Sequence, residues 1–376
     1  MYKKSQIRFL LSIFLLLLFF SALIYSFAGG DGSGGNPYQI ENCTQLQNVS
    51  SNLTAHYILN NNINCLNFDY GDGMGFMPIG KNLSNYFNGS FNGNSYEIQN
   101  LLINRSSLIY VGLFGVNFGN ISNLGIRTAN IYGDVGVGIL VGLNMLNSNI
   151  NNSYTTGDVN GTTYVGGLAG YSNGVIDNTY AIGNVKGDLN RVGGLVGLNR
   201  YFIYKSYSIT NVSGFNDVGG LVGYLLGGLI DNSYSINGSI EGSSGVGGLV
   251  GTTNGFIFYS FSTNKVNFSG GSGGGLVGFN SGTTNYSYWD NESSQINISA
   301  KGIGKKTLEM YNQSTYIGWN TSIWSFTNTS YPQLRWTILS QSINSSSLNS
   351  NTKFPNQGFG SIMIGVILII INFIFN

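Results

Sequence analysis

Apolar and polar positions alternate in short stretches through the middle of the chain, and the alternation itself repeats. Val-Gly-Gly-Leu-Ala-Gly stands at Val165–Gly170, and Val-Gly-Gly-Leu-Val-Gly at Val192–Gly197, Val218–Gly223 and Val246–Gly251. Looser copies lie at Val111–Gly115, Val137–Gly142 and Gly273–Gly278. The closing glycines (Gly115, Gly142, Gly170, Gly197, Gly223, Gly251, Gly278) fall about 27 residues apart, a spacing of solenoids. Leu140, Leu168, Leu195, Leu221, Leu249 and Leu276 occupy one slot and are expected to stack facing the core.

A second slot holds Tyr154, Tyr180, Tyr207, Tyr234 and Phe261, each four residues after an isoleucine: Ile150, Ile176, Ile203, Ile230 and Ile257. A glycine turn follows at Gly157, Gly183 and Gly238, then a short segment centred on Val159, Val185, Val212, Ile240 and Val266. Each repeat thus carries about three short β-prone stretches separated by Gly, Asn and Asp. No stretch shows a helical apolar stripe. The pattern predicts an all-β, single-stranded parallel β-helix, coils stacked at about 4.8 Å, in a rod on the order of 50 Å long. One conflict arises inside the coil. Ile203, Lys205 and Tyr207 share strand parity, and a buried unpaired lysine is very unfavourable. A bend at the middle slot resolves it, with Ser or Thr inward and the aromatics stacked on or near the surface.

Composition narrows the function. Charged residues make up 8% of the chain and the formal net charge is +1. Nucleic acid is excluded as a partner, because phosphate binding needs clustered Lys and Arg. The ends differ from the middle. Lys3, Lys4 and Arg8 precede an apolar run from Phe9 to Phe27, which predicts a signal peptide over 1–28 cleaved after Ala28, or an uncleaved anchor. The 359–376 segment is almost wholly apolar, follows a Ser/Asn-rich stalk over 337–358, and predicts a membrane anchor. No basic residue follows it, which leaves a processed tail or a weakly held span as alternatives. In an exported chain the two cysteines, Cys43 and Cys65, read as a disulfide. Nineteen Asn-x-Ser/Thr sequons are compatible with glycosylation.

The repeats resemble the GLUG-motif family, named for a Gly-Leu-aliphatic-Gly core, here Gly194-Leu195-Val196-Gly197. Pro37-Tyr38-Gln39-Ile40, Pro78-Ile79-Gly80 and Phe87–Gly93 are similar to that family's lead-in over 29–110, ahead of the repeats at 111–287. Tyr288-Trp289-Asp290, Gly318-Trp319-Asn320, Trp324 and Tyr331–Trp336 resemble its closing block over 288–336. The resemblance implies a right-handed β-helix on exported or cell-surface, adhesin-like proteins, including parts of some bacterial immunoglobulin A proteases. It implies a display or binding scaffold, not catalysis.

The residues support no catalytic, cofactor or metal site. A zinc protease needs His-Glu-x-x-His, and the chain has one histidine, His56. Val135–Gly142 imitates a dinucleotide loop, yet it recurs every coil and no helix follows. Asp69-Tyr70-Gly71-Asp72-Gly73 lacks the ligands of a calcium loop. Asp134, Asp158, Asp177, Asp188, Asp217 and Asp231 are the candidate carboxylates for the runner-up function, a polysaccharide lyase or hydrolase. Asp177 and Asp231 share a slot two coils apart, about 10 Å. The expected function is a non-enzymatic, surface-tethered scaffold whose exposed tyrosines bind glycans or cell-envelope components.

Overall fold

The computed structural model describes residues 27–337. The expected signal peptide up to residue 26, the expected stalk past Thr337 and the expected anchor lie outside the described residues. Within them, no helix is long and apolar enough to cross a membrane.

The chain winds into a parallel β-solenoid of about seven turns. One coil runs through strands Phe202–Tyr204, Tyr207–Ser213, Asn216–Gly219 and Val222–Leu225. Equivalent strands of successive coils pair in four parallel sheets of ten, thirteen, six and seven strands. Register keeps like on like: Ile203 faces Ile230, Val185 faces Val212, Val192 faces Val218 and Val196 faces Val222. The leucine ladder is continuous, since Leu195 N–H donates to Leu221 at 2.9 Å and Leu221 to Leu249 at 2.8 Å. All six ladder leucines are buried, each contributing about 1.5–3 kcal/mol of apolar burial.

The hexapeptide glycines make this corner. A Cβ on Gly194 would lie 2.0 Å from the Gly220 carbonyl of the next coil, and one on Gly197 2.5 Å from the Val165 nitrogen of the previous coil. Close backbone approach, not a left-handed conformation, demands glycine at both. The buried Ser208 hydroxyl donates to the Gly220 carbonyl at 2.6 Å. An inward hydroxyl therefore satisfies a backbone acceptor inside the core.

The bend expected at the middle slot is present. Asn152, Asn178, Lys205, Asn232, Tyr259 and Tyr286 all adopt left-handed φ of 42–51°, a conformation asparagine tolerates best among non-glycine residues. The flip sends Ser153, Thr179, Ser206, Ser233 and Ser260 into the interior and the following aromatics outward. Their expected surface position is corrected by the structure. Tyr154, Tyr180, Tyr207, Tyr234 and Phe261 are at most 3% exposed. The rings of successive coils stack 4.8–5.1 Å apart, within 16° of parallel. They form a second core, outside the solenoid, that the closing block covers.

That covering is lateral. Past Ile303–Lys305, which adds a rung onto Tyr288–Asp290, the chain turns back along the flank. Three tryptophans mark its course. The Trp319 indole N–H donates to the Tyr286 carbonyl at 2.9 Å, that of Trp324 to Asn232 Oδ1 at 2.8 Å, and that of Trp336 to the Lys205 carbonyl at 3.0 Å. The strap thus runs against the winding direction and grips the bend residues of three coils, Tyr286, Asn232 and Lys205. At the other end, Cys43 and Cys65 form the disulfide, with Cα atoms 5.4 Å apart. Phe27 stacks on Tyr38 at 4.5 Å, so a residue on the leader side of the expected cleavage point packs on the first coil.

Candidate functional site

Side chains pointing outward from the ten-stranded sheet are polar on three successive rungs, with Ser90, Asn120 and Asn149 in one row and Asn92, Ser122 and Asn151 in the next. Over four rungs the rows then change. Val175, Phe202, Leu229 and Phe256 form the first row, and Asp177, Tyr204, Asp231 and Phe258 the second. Thr283 and Asn285 return the face to polar. The result is an aromatic strip interrupted by two carboxylates. Phe256 is 47% exposed and its row-mates are half-buried. Ring contacts knit it together: Tyr201 to Phe202 at 4.0 Å, Phe202 to Tyr204 at 5.6 Å, and Phe256 to Phe258 at 6.3 Å.

The two carboxylates differ in environment. Lys205 Nζ forms an ion pair with Asp177, 3.3 Å from its Oδ1. Burial pushes the Asp231 carboxyl above the ordinary aspartate range, against the opposing pull of the Asn232 amide, which donates to its Oδ2 at 2.8 Å, and of Lys205. Tyr204 stands on the rung between them. Burial, and then the Asp231 carboxylate, raise its hydroxyl. Two rungs separate Asp177 from Asp231, about 9.6 Å of backbone. A retaining glycosidase needs its carboxyl groups about 5–5.5 Å apart, and an inverting one leaves the gap open for water. Here the Tyr204 side chain stands in it.

The other sequence candidates are dispersed. Asp158 and Asp188 line two adjoining cavities on the thirteen-stranded sheet and its corner. Asp217 accepts from Thr252 at 2.6 Å and faces Arg191 at 3.8 Å. Arg191 in turn sits 5.1 Å over the Tyr164 ring and 5.3 Å over that of Tyr224. Asp69 accepts from the backbone N–H of Gly71, Gly73 and Gly75, and Asp72 pairs with Arg105 at 2.8 Å. Those bonds hold the loop's two carboxylates from within the protein. His56 rests on its strand, 2.7 Å from Ser90 Oγ. Among the described residues no cluster of His, Cys, Asp or Glu is arranged to hold a metal ion.

Sequence reasoning missed Phe202, Tyr204, Phe256 and Phe258. Their signal was available: a slot that reads Asn in early coils reads Phe in later ones.

No known family profile matches the chain. It is 35% identical over 149 residues to halomucin of Haloquadratum walsbyi, covering 38% of this chain. It is 34% identical over 198 residues, 42% of its length, to a provisionally named Gly-rich membrane protein of Evansella cellulosilytica. The chain spans only 2% and 22% of the lengths of these curated relatives. Among solved structures it resembles a Bacteroides ovatus protein provisionally named an immunoglobulin A1 protease. The TM-score is 0.56 at 24% identity, over 82% of this chain and 95% of that one. At that identity the likeness carries the fold, a parallel β-solenoid, and the function has to be read from this chain's own surface.

Proposed function

We propose that the protein is a non-enzymatic, exported β-helical module, held at a cell surface by its apolar tail, that binds neutral glycans on the aromatic strip. The strip carries this reading. Aromatic faces offer apolar area to the C–H face of a sugar ring, and flanking carboxylates accept from its hydroxyls. The rungs recur at about 4.8 Å, so the Phe202 and Phe256 rings, two rungs apart, stand about 10 Å apart along the rod for a linear chain to meet in turn. The strip is about 14 Å by 7 Å between backbone positions on the strand spacings. That suits a short oligosaccharide and falls well below the roughly 800 Å² per partner of a stable protein interface. The names of the two relatives, a halomucin and a membrane protein, accord with a surface setting. Tyr204, on the rung between Asp177 and Asp231, supports binding without cleavage.

Calorimetric titration of the full chain with cellohexaose, chitohexaose and mannohexaose tests the reading. At least one should bind, and the Phe202→Ser/Phe256→Ser variant should lose about tenfold in affinity or more, as expected when two stacking contacts go. Hexagalacturonate should bind more weakly than its neutral counterparts, because the strip presents carboxylates. Unchanged affinity in the double variant would refute the assignment. Release of reducing ends that disappears in Asp231→Asn would refute the non-enzymatic half of it.

A further inference from the structure

A concave surface lies round two bends of the coil from the strip, on the later half of the long strands of the thirteen-stranded sheet. The bends are the left-handed residue, such as Lys205, and the mid-strand glycine. Gly157 and Gly183 have φ of 146° and 138°, and a Cβ on Gly183 would meet the Gly157 carbonyl at 1.9 Å. Bending the strand here sinks its later half into a trough of about 600 Å³, which includes Tyr132, Asp158, Asn184, Lys186, Asn211 and Glu241 in its lining. A further 280 Å³ opens round the next corner past the same Tyr132 and Lys186.

Two rows of side chains floor the trough, and their hydrogen bonding differs. The row nearer the bend is bonded from coil to coil. Asn184 donates to Asp158 Oδ1 at 2.8 Å, Asn211 to Asn184 Oδ1 at 3.1 Å, and the Ser239 N–H to Asn211 Oδ1 at 3.1 Å. Those bonds fix the amide orientations. The second row reads Tyr132, Asn160, Lys186, Ser213, Glu241 on five consecutive rungs, about 19 Å. Glu241, at its end, accepts from Ser239 at 3.1 Å. Within the described residues, the side chains of Asn160, Lys186 and Ser213 make no hydrogen bond or ion pair. An immobilised row thus backs an open row of amide, ammonium and hydroxyl, with the Tyr132 ring at one end.

We infer that the trough is a second binding site, which takes one strand of an uncharged polysaccharide lying along the rod axis. The backbone on its floor is already paired within the sheet, so a peptide cannot add as a strand. The valines of the lining, Val159, Val185 and Val212, are buried beneath it and present no open pocket to a peptide side chain. Its charged groups, Asp158, Lys186 and Glu241, sit on different rungs and leave no single-sign field for a polyanion. What remains is a regular array of donors and acceptors, matched by a polymer that repeats hydroxyl groups at a similar interval. Tyr132 would stack on a sugar ring at the end of the strand. With the strip, the molecule would hold two glycan strands on different faces and could bridge them.

The test uses the full chain carrying Phe202→Ser/Phe256→Ser, so that failure of the strip and failure of the trough read separately. Titration of that protein with cellohexaose, chitohexaose and mannohexaose should show a remaining site for at least one. Asn160→Leu/Ser213→Leu should weaken it about tenfold or more, through two lost hydrogen bonds. Lys186→Glu, a surface change that leaves the fold intact, should weaken it in the same direction. Circular dichroism checks the folding of each variant, and Lys186→Glu decides if the leucine pair misfolds. No remaining site for any of the three probes, or affinities within twofold across the trough variants, would overturn the inference. So would binding of a neutral glycine-serine peptide in their place.

Discussion

At the scale of single residues, conformation and burial set requirements that a composition count hides. Gly194 and Gly35 look alike in the sequence, yet the backbone of the next coil crowds only the first. A Cβ at Gly35 meets nothing within 4 Å. Gly194→Ala is therefore expected to cost about 2–3 kcal/mol or more by overpacking, and Gly35→Ala close to nothing, as read by urea unfolding. Asp231 gives a second expectation. Its carboxyl is raised in the folded protein, so between the ordinary aspartate value and the raised one the native state binds more protons than the unfolded chain. Stability should fall as pH rises through that window and level off above it. Asp231→Asn should remove this component. Asp72 has the opposite sign, because its partner Arg105 lowers its carboxyl. Its contribution is present above the ordinary aspartate range and is lost as pH falls below it. Thermal melts of Asp231→Asn and the parent across mildly acidic pH separate the two.

At the scale of elements, the strap and the disulfide hold different parts of the rod. Trp324 is fully buried, contacts the rings of Tyr234 and Phe261, and satisfies Asn232. Trp324→Ala is expected to cost about 3–5 kcal/mol and to expose the tyrosine ladder. Near-ultraviolet dichroism should change while the far-ultraviolet β signal persists, because the solenoid's own ladders remain paired. The disulfide joins the helix Cys43–Asn48 to the end of strand Ile63–Asn64. Opening a 22-residue loop by Cys43→Ser should cost about 3 kcal/mol. Hydrogen exchange should quicken first in the lead-in coils, because a solenoid passes stability between neighbours. Uniform quickening along the whole rod would contradict that locality.

At the scale of the whole molecule, the coil, its period and its inward leucines were legible because each coil repeats the same local physics. A strand cannot bury its apolar side alone, so the sequence restates the solution about every 27 residues. The bend was legible too, since Lys205 could not share the interior with Ile203. Cys43 and Cys65 were readable as a pair because the chain offers no other partner. What the repeat could not reveal was anything made between non-repeating parts. Tyr180 and Tyr207 read as surface residues because nothing within one coil covers them. Trp336, more than a hundred residues downstream, does so only after the chain reverses along the flank. The strip escaped notice for a related reason. Phe202 and Phe256 look like ordinary strand residues until register places them side by side with Asp177 and Asp231, and parity turns them outward. Local sequence thus determined which side chains face the interior, through short-range periodicity and the cost of burying charge. Only tertiary structure decided which outward faces stay open to a ligand and which the chain closes over itself, because that depends on contacts between segments that share no period.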